Sequence, residues 1–130
     1  MRLAAAGLCM ALGPLAAHAE SLDAYKADVA RHIHRASRGE TFDGAAPPLL
    51  KSVVVLSVTI EASGRARARV VRSNGFRSLD AKALRSVRRA SPLPRWSAAG
   101  GRPVHYYETW LFRKDGRFQI RSIAPPQASA

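Results

Sequence analysis

The stretch that most restricts the fold is the run from Ser52 to Arg72. Val53-Val54-Val55-Leu56-Ser57-Val58-Thr59-Ile60 is β-branched and apolar over more residues than one helical face needs, which predicts a strand buried on both sides. Ala62-Ser63-Gly64 breaks the run. Arg65-Ala66-Arg67-Ala68-Arg69-Val70 then alternates charge with small apolar side chains, the period-two pattern of a strand with one wet and one dry face. The register of the resulting hairpin follows from the chemistry of its faces. A two-residue turn at Ser63-Gly64 would set Ile60 against Arg67 and Val58 against Arg69, placing arginines on the buried face. A three-residue loop with Gly64 in the left-handed conformation instead pairs Glu61 with Arg65, Ile60 with Ala66, Thr59 with Arg67, Val58 with Ala68 and Leu56 with Val70. Each face is then chemically uniform, and Ala66 and Ala68 leave room for a helix to approach.

The following segment supplies that helix. Ser78 is the expected N-cap, Leu79, Ala83, Leu84, Val87 and Ala90 form the apolar stripe, Lys82, Arg85 and Arg89 lie opposite, and Pro92 and Pro94 end it. Upstream, Ser21 to Ser37 reads as an amphipathic helix with Leu22, Tyr25, Val29, Ile33 and Ala36 on one stripe, and Arg38 to Pro48 as a loop leading to the central strand. Downstream, Trp96 to Pro103 is expected to be a mobile connection and Val104 to Arg113 a third strand. Lys114-Asp115-Gly116 is a turn signal, and Phe118 to Ile123 alternates as a fourth strand, with Phe112 opposite Phe118 and Trp110 opposite Ile120. The expected fold is α+β: a helix, then ββαβ with an added C-terminal strand. A right-handed crossover places the third strand on the free side of the first, giving an antiparallel sheet of order 2-1-3-4 with both helices on one face.

Several of these residues carry a family resemblance. Val58-Thr59-Ile60-Glu61-Ala62-Ser63-Gly64-Arg65, Val70-Val71-Arg72-Ser73-Asn74-Gly75, Leu79-Asp80-Ala81-Lys82-Ala83-Leu84, Ala90 and Pro92-Leu93-Pro94 together resemble the C-terminal domain of the TonB energy-transducer family. The likeness covers roughly residues 22 to 113. It implies a domain that contacts outer-membrane receptors from the periplasm.

Met1 to Ala19 reads as a secretory signal: Arg2, a Leu/Ala-rich run, then Ala17-His18-Ala19 as the cleavage site, so that the mature chain begins at Glu20 in the periplasm. The apolar run, about 15 residues, is short of the roughly 20 a spanning helix needs. Full-length transducers of the resembled family carry an uncleaved anchor and a long proline-rich spacer, so this chain is expected to be a stand-alone version. Residues 20–123 form the domain and 124–130 a disordered tail. Cys9, the single cysteine, falls inside the signal, so the mature chain has neither a disulfide nor a thiolate metal site. Cleavage removes one of the 21 basic residues and none of the nine acidic ones, leaving a net charge of +11 on a small domain, a field that draws anions.

No catalytic constellation is expected, and the chain reads as a non-enzyme with no cofactor and no metal. His32 and His34 flank Ile33, which sets their rings about 200° apart on a helix, unable to share one ion, and both are expected on the surface. His105 lies in the third strand with no sequence-local carboxylate pair or thiol with which to build a triad or metal site. Ser73-Asn74-Gly75 lacks the glycine spacing and lysine of a nucleotide loop and reads as a turn; Leu79 and Asp80 are first-turn helix residues.

Two binding surfaces are expected. Arg67, Arg69, Arg113, Arg117 and Arg121 fall on the sheet face away from the helices, where they are either simply solvated or suited to an anionic partner such as an acidic protein patch, anionic lipid or lipopolysaccharide. Nucleic acid fits the charge but not a secreted address, and Tyr106, Tyr107, Trp110 and Phe112 read as strand packing. The second surface is a strand edge. The resemblance implies that the third strand offers its edge to a receptor segment. Here Phe118 to Ile123 is expected to cover that edge and leave its own outer side available, so the edge candidates are Tyr107, Thr109, Leu111, Gln119 and Arg121. The resulting reading is a periplasmic TonB-like protein-binding module in cell-envelope transport, contacting an outer-membrane receptor or another envelope protein. The alternative is a basic protein for anionic envelope surfaces.

Overall fold

The computed structural model describes residues 20–127, so the expected signal segment and its cleavage site lie outside the described residues. The elements are α1 (Leu22–Ala36), β1 (Ser52–Ile60), β2 (Ala66–Arg72), α2 (Arg77–Ala90), β3 (Val104–Phe112) and β4 (Phe118–Ile120), with short 3-10 turns at Ser97–Ala99 and Arg121–Ile123. The four strands make one antiparallel sheet of order β2-β1-β3-β4, the expected α+β architecture.

The hairpin has the register that uniform faces demand: Ile60 opposite Ala66, Thr59 opposite Arg67, Val58 opposite Ala68 and Leu56 opposite Val70. Gly64 sits at φ 92° inside the three-residue loop, and Glu61 and Arg65 close it through a 2.9 Å backbone hydrogen bond. An irregularity then shifts the pairing so that Val55 faces Arg72, which ends the hairpin with a bulge. The β3–β4 register is also the expected one, Phe112 to Phe118 and Trp110 to Ile120.

One face of β1, made of Val54, Leu56, Val58 and Ile60, joins Tyr106, Trp110, Phe112, Phe118 and Ile120 beneath both helices. From the helices come Tyr25, Val29 and Ile33 of α1 and Ala83, Val87 and Ala90 of α2. Trp110, fully buried, donates its indole N–H to Ser86 Oγ (3.0 Å), and Ser86 in turn donates to the Ala83 carbonyl (2.7 Å). The largest core side chain thus fixes the depth at which α2 lies on the sheet.

Four expectations need correction. α2 starts at Arg77 with Phe76 as its non-capping N-terminal residue, and Ser78 lies inside the first turn. The corner before it fixes the helix start without capping its N–H groups: Ser73 Oγ donates to the Asp80 carboxylate (2.8 Å) and Asn74 Oδ1 accepts the Val53 N–H (2.7 Å), tying the corner to α2 and to β1. The Trp96 to Pro103 connection is anchored, because the Trp96 ring stacks on Tyr25 at 5.5 Å and its N–H donates to the Glu20 carbonyl. The histidines of α1 are half-buried and bonded: His32 Nε2 lies 2.9 Å from the Ala90 carbonyl and His34 Nε2 accepts the Ile120 N–H at 3.1 Å. Finally, β4 has three residues, and Arg121 to Ile123 curl into a 3-10 turn.

Candidate functional site: the edges of the sheet

In an antiparallel strand, alternate residues direct both backbone groups to opposite sides. The Arg113 N–H donates to the Arg117 carbonyl and the Phe112 carbonyl accepts from Lys51, so the odd-numbered residues of β3 face away from β1. His105, Tyr107, Thr109 and Leu111 therefore carry the outer edge of β3. Leu111 is paired with Gln119 of β4. Thr109 donates its N–H to the carboxylate of the neighbouring Glu108 (2.8 Å). His105 and Tyr107 lie beyond the end of β4, with no strand beside them.

β4 itself offers little. Its outward groups belong to Phe118 and Ile120. The Phe118 N–H donates to the Glu40 carbonyl (3.0 Å), its carbonyl accepts from Phe42 (3.1 Å), and Thr41 makes a single parallel bridge to it. The Ile120 N–H goes to His34. The outer side of β4, expected to be free, is occupied by the chain that leaves α1. Burial, opposed by Asp43, holds the His34 pKa below its ordinary value and so favours the neutral ring, the form in which Nε2 can accept the Ile120 N–H.

Glu108 explains why β4 stops. Continued in register, Ser122 would stand opposite Glu108. Instead the Glu108 side chain is buried on the helix-facing side, where it accepts from the Ser122 hydroxyl and the Thr109 N–H. Burial raises its pKa, opposed by those hydrogen bonds and by Lys26. The carboxylate thus satisfies the backbone donor that a longer β4 would have met.

At the other margin of the sheet, the Ala66 N–H of β2 donates to Ser91 Oγ, and the backbone of Ala68 and Val70 faces outward between Arg67, Arg69 and Arg72. A row of like charges discourages another strand there. The uncharged open edge is His105 to Tyr107. Tyr107 is 56% exposed, its ring packs edge-on against His105 (5.5 Å), and His105 Nδ1 lies 3.2 Å from Thr59 Oγ1. Beside this edge lies a hollow of about 290 Å³ lined by Leu22, Trp96, Ala99, Pro103 and Val104, with Arg102 as its one charged residue.

The candidate residues are therefore split. Tyr107 lies on the open edge, Thr109 next to it with its N–H engaged, and Leu111 and Gln119 pair with each other. Gln119 also donates to the Gly44 carbonyl (2.9 Å), fastening the Thr41 to Leu50 loop over the outer face. Arg121 sits on the 3-10 turn, lining a hollow with Ala46, Val53, Leu111 and Pro126. Gln127 donates to the Pro47 carbonyl (2.7 Å), so residues 124–127 of the expected tail run along this loop.

The basic group is divided as well. Arg67 and Arg69 stand opposite Thr59 and Ser57, whereas Arg113, Arg117 and Arg121 lie toward the Ser52 end of the sheet. Arg67 is 3.6 Å from the Glu61 carboxylate. Arg113 pairs with Asp115 (2.6 Å) and lies 4.5 Å above the Phe42 ring. They do not form one continuous patch. Sequence reasoning missed His34 and Glu108, whose roles depend on the end of β4, and the arginines of the helical layer. Among the described residues, no group of three or more His, Cys, Asp or Glu is placed to hold a metal ion, and no helix is long and apolar enough to cross a membrane.

The family model described as TonB C terminal matches residues 22–107, from the start of α1 to the open edge of β3. No curated protein and no solved structure matches the chain. The matched span contains α1, the hairpin, the corner and α2, and it leaves Glu108, β4 and the final turn outside. With a match over most of its length, the chain belongs to the TonB C-terminal domain family.

Proposed function

We propose that the chain is a periplasmic protein-binding module of cell-envelope transport, and that it receives an extended segment of an outer-membrane receptor or another envelope protein as an added strand on β3. One observation carries the reading: the edge from His105 to Tyr107 is unpaired and uncharged, while β4 is closed on its outer side and the β2 edge is flanked by arginines. Strand addition draws its contact from backbone hydrogen bonds, with alternate side chains setting specificity. A segment beside Tyr107 would direct some side chains toward the hollow at Trp96 and Val104 and others toward His105. Membership of the family supports a role in the envelope, and no catalytic role is proposed. Glu108 and the Ser122 turn limit the partner to a short stretch.

Tyr107→Pro tests this. The Tyr107 N–H faces outward, so proline there removes a donor that the fold does not use. The variant should keep its folded spectrum and lose capture of envelope proteins that wild type retains from a detergent-solubilised envelope fraction. Equal capture by both proteins would refute strand addition at this edge.

A further inference from the structure

Among the described residues, several exposed arginines without an acidic partner line up along the back of α2. Arg77, Ala81, Arg85 and Arg88 fall within an arc of about 80° on a helix that turns 100° per residue, and all four are exposed. Arg77 and Arg88 are about 16 Å apart along the axis. Among the described residues, Arg77, Arg85 and Arg88 have no carboxylate partner. The acids nearby are committed: Glu40 to Arg89 and Lys82, and Asp80 to Ser73. The Glu40 pKa is lowered, chiefly by its hydrogen bond from Arg89 and further by the charges of Lys82 and Arg85, the last of which lies beyond ion-pair distance. Near the C-terminal end of α1, Arg35 and, in the turn that follows, Arg38 are exposed and likewise lack an acidic partner among the described residues.

We propose that this helical back, centred on Arg77, Arg85 and Arg88, is a docking surface for an anionic phospholipid bilayer. Charge complementarity selects an anion. The shape selects a bilayer, since a convex row of long guanidinium side chains offers no concave site for a folded acidic partner, whereas lipid phosphates move laterally to meet each one and accept paired N–H bonds. At the N-terminal end of the row, Phe76 is 38% exposed, with Lys51 Nζ 4.2 Å from the centre of its ring, so an apolar group and a further cation flank the arginines. The position also suits a binding module. α2 covers the β2 end of the sheet and the open β3 edge lies toward the other end, so a domain held by α2 keeps that edge free. This surface is independent of the strand-addition reading, and either can fail without the other.

The test is vesicle co-sedimentation of the full chain with bilayers of phosphatidylglycerol and phosphatidylcholine, against phosphatidylcholine alone. Each basic residue near an anionic surface contributes about a five-fold factor, so R77Q/R85Q/R88Q should weaken binding about a hundred-fold. The charge-matched control R67Q/R69Q/R72Q should stay within about three-fold of wild type, and binding should fall steeply as salt rises from 50 to 300 mM. Lysine at the same three helix positions should restore most of the affinity. The single variant R88Q, expected to lose about five-fold, serves if the triple variant does not fold. Equal losses in the helix and sheet triples would assign binding to net charge and overturn the proposal, as would no loss in either. Binding of polyglutamate as tight as that of the vesicles, lost in the same helix variant, would overturn the lipid assignment in favour of an acidic protein.

Discussion

His34→Ala is the perturbation that separates the closed part of the β3 edge from the open part. In the wild type, the Ile120 N–H donates to His34 Nε2 at 3.1 Å, and the Phe118 ring packs against the imidazole at 5.8 Å. Alanine leaves that half-buried donor without an acceptor, at a cost of about 1–3 kcal/mol. β4 is three residues long and Ile120 is its last, so the cost falls on local opening of β4 before it reaches the rest of the sheet. The N–H groups that β4 protects at Leu111 and Gln119 should then exchange about 5–150-fold faster, with Val54 to Val58 unchanged. Acid should do the same. The folded pKa of His34 is depressed, so the unfolded chain binds the proton first. The contribution of this bond is complete above the unfolded value, about 6.5, and is lost as pH falls from there toward the folded value. Amide exchange followed by NMR from pH 7.5 to 5 reads both effects. Unaltered exchange at Leu111 and Gln119 in His34→Ala would show that the Glu40 to Phe42 segment alone holds β4 and would refute the reasoning.

Further variants test other joints of the account. Gly64→Ala should lower stability by about 2–4 kcal/mol in thermal or urea unfolding, because φ is 92° and a Cβ there would lie 2.7 Å from the Leu93 carbonyl oxygen. Ser86→Ala should cost about 1–3 kcal/mol by leaving the buried Trp110 N–H without its acceptor, and a change in near-ultraviolet circular dichroism should accompany it. Glu108→Gln should remove a pH dependence of the opposite sign to that of His34. The folded carboxyl pKa is raised by burial, so the wild type gains stability as pH falls through that value toward the unfolded range near 4.3, and the variant should lack this gain in urea midpoints.

The hairpin register was legible because its alternatives are chemically opposite: one slip would bury Arg67 and Arg69, and no compensation for that exists in the sequence. The β3–β4 pairing was legible for the same reason, since Phe112, Phe118, Trp110 and Ile120 sort onto one face. The end of β4 was not, because alternation in Phe118 to Ile123 continues past the point where Glu108, a residue distant in sequence, captures Ser122. Periodicity also misplaced the histidines. His32 and His34 flank the apolar stripe of α1, and only the approach of Ala90 and Ile120 turns those flanking positions into bonded ones. The basic face failed through position along the strands. Alternation gives the face on which Arg67, Arg69 and Arg113 project but not the length of sheet between them or the Phe42 ring under Arg113. The arginine row of α2 could have been found by marking every exposed arc of the helix for charge, since Arg77, Arg85 and Arg88 are present in sequence at spacings of eight and three.

The most direct test of the strand-addition account is site-specific photo-crosslinking in intact cells, with the photoreactive side chain placed at Tyr107 on the open edge or at Gln119 on the closed strand. The account predicts a discrete adduct with an envelope protein from position 107, none from position 119, and loss of the adduct when His105 is also replaced by Pro. An adduct of equal strength from position 119, or none from position 107 in cells where the protein is folded and exported, would contradict it.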